Sequence, residues 1–317
     1  MKTHLKTSLL FILNITLIFS QENTIEEIYK LNGNVKSVRY DSYLAEKTTE
    51  GYEIIEKGWE DVEKADKFIE FNKNGKIIKI SFYDKAAKLE REHEYIYKDS
   101  NLIQSATKYH KSTYVYDSLD RVIKAKIFDR APEEIKSTNI NELAKKEKIL
   151  VKYEYDEHGN LKYRIANNMK DGHSSKTSYT YNKKGLLQKE ETTIDDYKEW
   201  YWYEYDTNGR IINKKWMDNV DGLIENEIHQ YSDNELVFTL WENYFEGELE
   251  GKITYEYKNG VEVEINEYDM EDQTQITWKY DYEFDAQNNW IKKIVHTYKG
   301  EYFIVNREIE YFGDGGE

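Results

Sequence analysis

The chain has 317 residues, with 61 acids against 45 bases, a formal charge of −16, 29 Tyr, one Pro and no Cys. An aromatic share of 15% excludes a disordered chain, which lacks the apolar surface to offset the entropy of ordering. The absence of Cys excludes a disulfide scaffold, and the acidic balance argues against nucleic acid as a partner. What remains is an acidic, soluble, β-rich protein, because Tyr favours strands.

The first element is Met1–Ser20. Lys2 and Lys6 precede the apolar run Leu9–Phe19, and Ser20 stands before a polar stretch. This is the pattern of a secretory signal peptide. The run is shorter than the roughly 20 residues of a spanning helix. Export with cleavage is predicted, giving a secreted or periplasmic protein with no stable membrane insertion afterwards. Ile25–Leu31 predicts a short leading helix.

From Phe71 onward one aromatic recurs: Phe71, Tyr97, Tyr116, Tyr155, Tyr181, Tyr205, Tyr231, Tyr257 and Phe284, with Tyr311 as a truncated tenth unit. Two residues earlier, seven of the nine positions are Tyr. Polar residues such as Glu154, Glu204 and Glu256 lie between, which is the alternation of a half-buried strand. Six residues after each anchor stands an apolar residue: Ile77, Ile103, Val122, Leu161, Leu187, Ile211, Val237, Val263 and Trp290. Turn residues fill the interval. Gly, Asn or Asp four places past the anchor tolerates a left-handed backbone, and Asp117, Asp156, Asp206 and Asp285 are placed to brace their turns. Where Glu235 and Val261 replace the turn residue, the turn is expected one place earlier, on Asn234 and Gly260. Each unit therefore predicts a β-hairpin with the anchor facing the aliphatic residue. An insert spans about 130–150, and its stretch Asn139–Glu147 predicts one short helix. The expectation is an all-β, elongated repeat protein over residues 21–317, its consecutive antiparallel hairpins forming one long twisted or curling meander sheet.

Tyr153-Glu154-Tyr155-Asp156-Glu157-His158-Gly159-Asn160-Leu161 and Tyr203-Glu204-Tyr205-Asp206-Thr207-Asn208-Gly209-Arg210-Ile211 resemble the tyrosine–aspartate (YD) repeats of the RHS family. The likeness runs from about Phe68 to Phe312. Leu31-Asn32-Gly33-Asn34-Val35-Lys36-Ser37-Val38 resembles the leader that precedes such repeats in exported proteins of Bacteroidota. The family implies hairpins continued edge to edge, closed into a toxin-holding shell in its large members. Ten hairpins are expected to be too few for such a shell. No toxin domain is read after the last unit, so the chain is expected to be a short member without one.

No catalytic spacing emerges. His93-Glu94 begins like a zinc helix motif, but Tyr97 takes the place of the second His. Glu190-Glu191 and Asp195-Asp196 are neighbours that point to opposite strand faces. Asp218-Asn219-Val220-Asp221-Gly222 lacks the frame of a calcium loop and reads as a turn. The best ligand-binding candidates are aromatic: Trp200 and Trp202, on the strand face opposite Tyr201, Tyr203 and Tyr205, with Trp216 and Trp241 following. The sequence thus predicts a non-enzymatic, exported binding or scaffold protein of the envelope or extracellular space. It needs no cofactor or metal, and its partner is a protein or a surface polysaccharide. The alternative is an accessory or immunity-like partner of a polymorphic toxin system.

Overall fold

The computed structural model describes residues 31–57, 66–129, 147–169 and 172–313. The signal segment, residues 25–30 of the first predicted helix and residues 139–146 of the second lie outside the described residues. Glu147, the last residue of the second, already starts a strand.

Every regular element among the described residues is a strand. In chain order they are β1 (Val35–Thr48), β2 (Gly51–Lys57), β3 (Lys67–Phe71), β4 (Ile77–Tyr83), β5 (Leu89–Lys98), β6 (Asn101–Thr107) and β7 (His110–Tyr116). There follow β8 (Val122–Asp129), β9 (Glu147–Tyr155), β10 (Leu161–Asn168), β11 (Ser174–Tyr181), β12 (Leu187–Ile194), β13 (Tyr197–Tyr205) and β14 (Ile211–Asp218). The last are β15 (Gly222–Ser232), β16 (Glu235–Phe245), β17 (Glu248–Lys258), β18 (Val261–Asp269), β19 (Thr274–Phe284), β20 (Trp290–His296) and β21 (Tyr302–Tyr311).

The repeat forms as hairpins, and six anchors pair with their expected aliphatic partner. Phe71 faces Ile77, Tyr116 faces Val122, Tyr155 faces Leu161, Tyr181 faces Leu187, Tyr205 faces Ile211 and Phe284 faces Trp290. Three units differ. Their two-residue turns bring Leu102, Leu236 and Glu262 opposite Tyr97, Tyr231 and Tyr257, in place of Ile103, Val237 and Val263. Two of these turns do slide back as expected: Asp233 and Asn234, and Asn259 and Gly260, all have positive φ, the geometry that matches strand twist.

The longer turns are held by their first side chain. Asp206 Oδ1 accepts the backbone N–H groups of Asn208 and Arg210 at 2.8 and 2.9 Å. Asp117, Asp156 and Asp285 do the same in their own turns. Each anchor then ends in a register shift, and that bulge leaves a residue out of the ladder. The next tyrosine answers it: the hydroxyls of Tyr116, Tyr155, Tyr181, Tyr205 and Tyr231 donate to the carbonyls of Leu102, Val122, Leu161, Leu187 and Ile211. The anchor is therefore both an apolar partner within its unit and a polar link to the preceding one.

The sheet is not open. β1 pairs with β21 from Val35 to Ala45, and on its other flank with β3 and then β2. β2 and β3 run in the same direction along that flank, with Lys57 opposite Tyr43 and Lys67 opposite Tyr40. They share one strand position, so the 21 strands close into an antiparallel barrel of twenty positions. Asp66 pins the break between them, accepting from the Ser42 backbone N–H and hydroxyl at 2.8 and 2.9 Å. The open, elongated sheet expected from the sequence is thus corrected, and ten hairpins are enough to close.

Closure uses the repeat itself. Tyr311 is the tenth anchor, and Val35 is its aliphatic partner, with the usual register shift after it. The Phe312 N–H donates to the Asn34 carbonyl at 2.8 Å, as Asp206 does to Arg210. Gly33, at φ +84°, stands where Gly209 stands, and a Cβ there would lie 3.1 Å from the Tyr311 ring. The stretch Leu31–Val38, which precedes the repeats in the chain, thus supplies the second half of the truncated tenth unit.

One face of the ladder holds every apolar side chain of zero exposure: Val38, Ile69, Ala125, Val151 and Val295. This is the inner wall. Residues two strands apart meet on it, as Tyr40 of β1 and Trp290 of β20 do at 6.0 Å with the Arg307 guanidinium over the Trp290 ring. Such contacts require a concave surface.

Candidate functional site in the barrel lumen

Register builds the lumen in rings. The tyrosine two places before each anchor faces the residue three places beyond the aliphatic partner. Around the wall this gives Ile69 with Ile80, Tyr114 with Ala125, Tyr153 with Arg164, Tyr179 with Glu190, Tyr203 with Lys214, and Tyr282 with Lys293. The first member of each pair is nearly constant. The second changes from apolar in β4 and β8 to charged in β10, β12 and β14, so the wall has an apolar sector and an ionisable one.

The ionisable sector is mostly acidic. Below Glu190 the ladder adds Glu199 and Asp218, which face each other, and then Glu225 and Glu227 on β15. Burial raises the Glu190 carboxyl above the ordinary range, while Arg164, Tyr179 and Lys214 pull it down. Burial also raises Glu199, opposed by the Trp216 indole and helped by the charges of Glu190 and Asp218. Glu225 is raised by burial and lowered by the Trp241 indole. On β15, His229 is lowered by burial against the pull of Glu227, and its ring meets the Thr239 hydroxyl at 3.0 Å. Arg164 Nε, Glu199 Oε2 and Trp216 Nε1 are buried without a partner at hydrogen-bonding geometry. Each such atom costs about 1–3 kcal/mol.

The four Trp candidates do not form one site. Trp200 and Trp202 lie on the outer wall, the Lys189 ammonium 5.2 Å above the Trp200 ring. Trp216 and Trp241 lie on the inner wall, Trp216 stacked on Tyr201 at 6.0 Å and 17°. The sequence separates Trp200 from Tyr201 correctly. It offers no way to tell which face turns inward, so the lumen carboxylates were missed. Their signal was the column three residues past the aliphatic partner, whose chemistry varies where its neighbours repeat. Glu190 and Glu191 do point to opposite walls, and Asp218 braces the turn after β14 through Val220 and Asp221.

The outer wall is charged at mid-strand. Lys79 pairs with Glu92, Lys189 with Glu191 and Lys279 with Glu264. Lys126, Lys152 and Lys176 lie on the same side.

No protein-family model matches the chain, and no curated protein matches it. Solved structures similar to it include a porin-like protein from Bacteroides uniformis, at 10% identity and a TM-score of 0.32, covering 88% of this chain and 98% of that one. Another is a porin-like protein from Bacteroides vulgatus, at 10% identity and a TM-score of 0.29, covering 51% and 94%. A chain of the Photorhabdus luminescens Tc holotoxin pore is similar at 12% identity and a TM-score of 0.29; 74% of this chain matches 14% of that one. Toxin-complex chains are thus among the structural neighbours, but the assignment to YD or RHS repeats is supported by no family model. The functional expectation is corrected as well. The expected scaffold rested on an open sheet, and the pairing of β1 with β21 closes that sheet into a barrel.

Proposed function

We propose that the chain is a closed barrel of the cell envelope that acts through its lumen, retaining small positively charged solutes without chemical conversion. The observation that supports this most is the inner-wall sector from β10 to β18. It carries Glu190, Glu199, Asp218, Glu225, Glu227 and Glu267 against Arg164 and Lys214. Walls of one sign and low dielectric concentrate counter-ions. The barrel fold is compatible with an envelope location, and the signal-peptide pattern of Met1–Ser20 agrees with it.

The outer wall favours water over lipid. A bilayer barrel presents an apolar band about 25 Å tall, and each Lys at its midplane costs about 2–4 kcal/mol. Lys126, Lys152, Lys176 and Lys189 stand where that band would be.

Equilibrium dialysis of the purified mature protein against spermidine, and against citrate as an anion of similar size, tests the reading. Retention of spermidine that weakens with salt is expected. Equal retention of both, or a cation-selective current after insertion into planar bilayers, defeats it.

A further inference from the structure

At the end of the lumen away from the anchor turns lies a cavity of about 730 Å³, between β16, β17, β18 and β19. That volume is in the range of small-molecule sites. We propose that this cavity is a binding site for an organic ammonium ion with an apolar body. The inference rests on the lumen reading above and specifies its ligand.

Three features of the lining carry it. Trp241, Ile253 and Ile276 supply an apolar and aromatic surface on the inner wall. Trp241 stands opposite Ile253 in the ladder, and its aromatic face attracts a cation by its quadrupole.

Charge is the second feature. Glu267 faces Ile253 on one side and Ile276 on the other, so its carboxylate is flanked by apolar groups. It has no cationic partner among the described residues. Lys252 is the one base on the lining, and its ammonium is engaged 4.7 Å above the Tyr268 ring.

The third is Gly251, which pairs with Asn243 and Asp269 on the cavity floor. Its backbone does not require glycine, since its φ is not in the left-handed region. Space requires it: a Cβ would lie 2.8 Å from Asn243 Oδ1 and 3.1 Å from the Tyr268 carbonyl. Any side chain there displaces the Asn243 amide and fills the floor. The cavity thus joins a flat apolar wall, an uncompensated carboxylate and a floor kept bare, which suits an amine carried on an apolar group.

Calorimetric titration of the mature protein with tryptamine, tryptophol and indole-3-propionate tests this, since the three share a ring and differ in charge. Tryptamine is expected to bind, the other two at least about tenfold more weakly. Glu267→Gln and Gly251→Ala should each weaken tryptamine about tenfold or more, with thermal melts showing both variants folded. Trp241→Phe keeps an aromatic face and should lose less. Unchanged affinity in both Glu267→Gln and Gly251→Ala overturns the site. So does absence of tryptamine binding, and if spermidine is still retained, the lumen reading survives while this cavity fails. Equal binding of all three probes defeats the inference and removes the charge argument from the lumen as well.

Discussion

Asn32 and Asn289 are 257 positions apart and bond to each other in both directions. The Asn32 backbone N–H donates to Asn289 Oδ1 at 2.7 Å, and Asn289 Nδ2 donates to the Asn32 carbonyl at 2.9 Å. Asn289 Nδ2 also reaches the Tyr311 hydroxyl at 2.8 Å, and that hydroxyl donates to Asp285 Oδ2. The ninth turn therefore holds the two halves of the tenth unit together.

Asn289→Ala removes three hydrogen bonds at a side chain only 4% exposed. At about 1 kcal/mol each, a loss of roughly 2–4 kcal/mol is expected in urea unfolding. A change below about 0.5 kcal/mol would show that the seam is held by strand pairing alone.

The tenth unit also predicts a circular permutant. Five residues separate Tyr205 from Ile211. A peptide bond from Gly313 to Asn32 places five between Tyr311 and Val35, namely Phe312, Gly313, Asn32, Gly33 and Asn34. With new ends opened between Lys183 and Lys184, in an exposed turn, the permutant should keep its far-ultraviolet spectrum and melt within a few degrees of the parent. Deleting residues 31–48 instead exposes the flank of β21, and such an edge is an aggregation template. Aggregation measured by light scattering should rise for the deletion only.

The turn brace can be separated from its charge. Asp206 accepts two backbone N–H groups and pairs with Arg210, whose guanidinium lies 4.3 Å from the centre of the Tyr231 ring. Asp206→Asn keeps an acceptor oxygen and should lower the melting temperature less than Asp206→Ala, which loses the brace altogether. Equal losses in the two variants would assign the effect to the ion pair.

Stability should depend on pH through the lumen carboxyls. Burial raises Glu190 above the unfolded value, so the folded state holds its proton more tightly. Its contribution is complete below the unfolded value, about 4.3, and is lost as pH rises through the folded value. Asp206 has the opposite sign. Hydrogen bonds from Arg210 lower it, so its contribution is present above the unfolded value and is lost as pH falls. Glu190→Gln should therefore be more stable than the parent at neutral pH, with the difference shrinking toward pH 4. A difference that is constant across this range would mean that Glu190 does not titrate in the lumen.

The hairpins, their Asp-braced turns and six of the nine anchor pairs were legible in the sequence, because each relation spans about six residues and depends on turn chemistry and a period of two. The three displaced pairs turned on a choice between a two-residue and a five-residue turn. Tyr97 shows it: Asp99 takes positive φ and Leu102 becomes the partner, although Asn101 also suits a turn. The alternation also separated Trp200 from Tyr201. It could not say which of them faces inward, since alternation is symmetric between the two faces of a sheet. Only curvature breaks that symmetry, and curvature accumulates from small twists at every bulge around the ring. Whether twenty strand positions close depends on that sum and on one pairing, Val35 with Tyr311, between opposite ends of the chain. The lumen and its carboxylates exist only after that pairing is made, which is why the hairpins were determined locally and the site by tertiary structure.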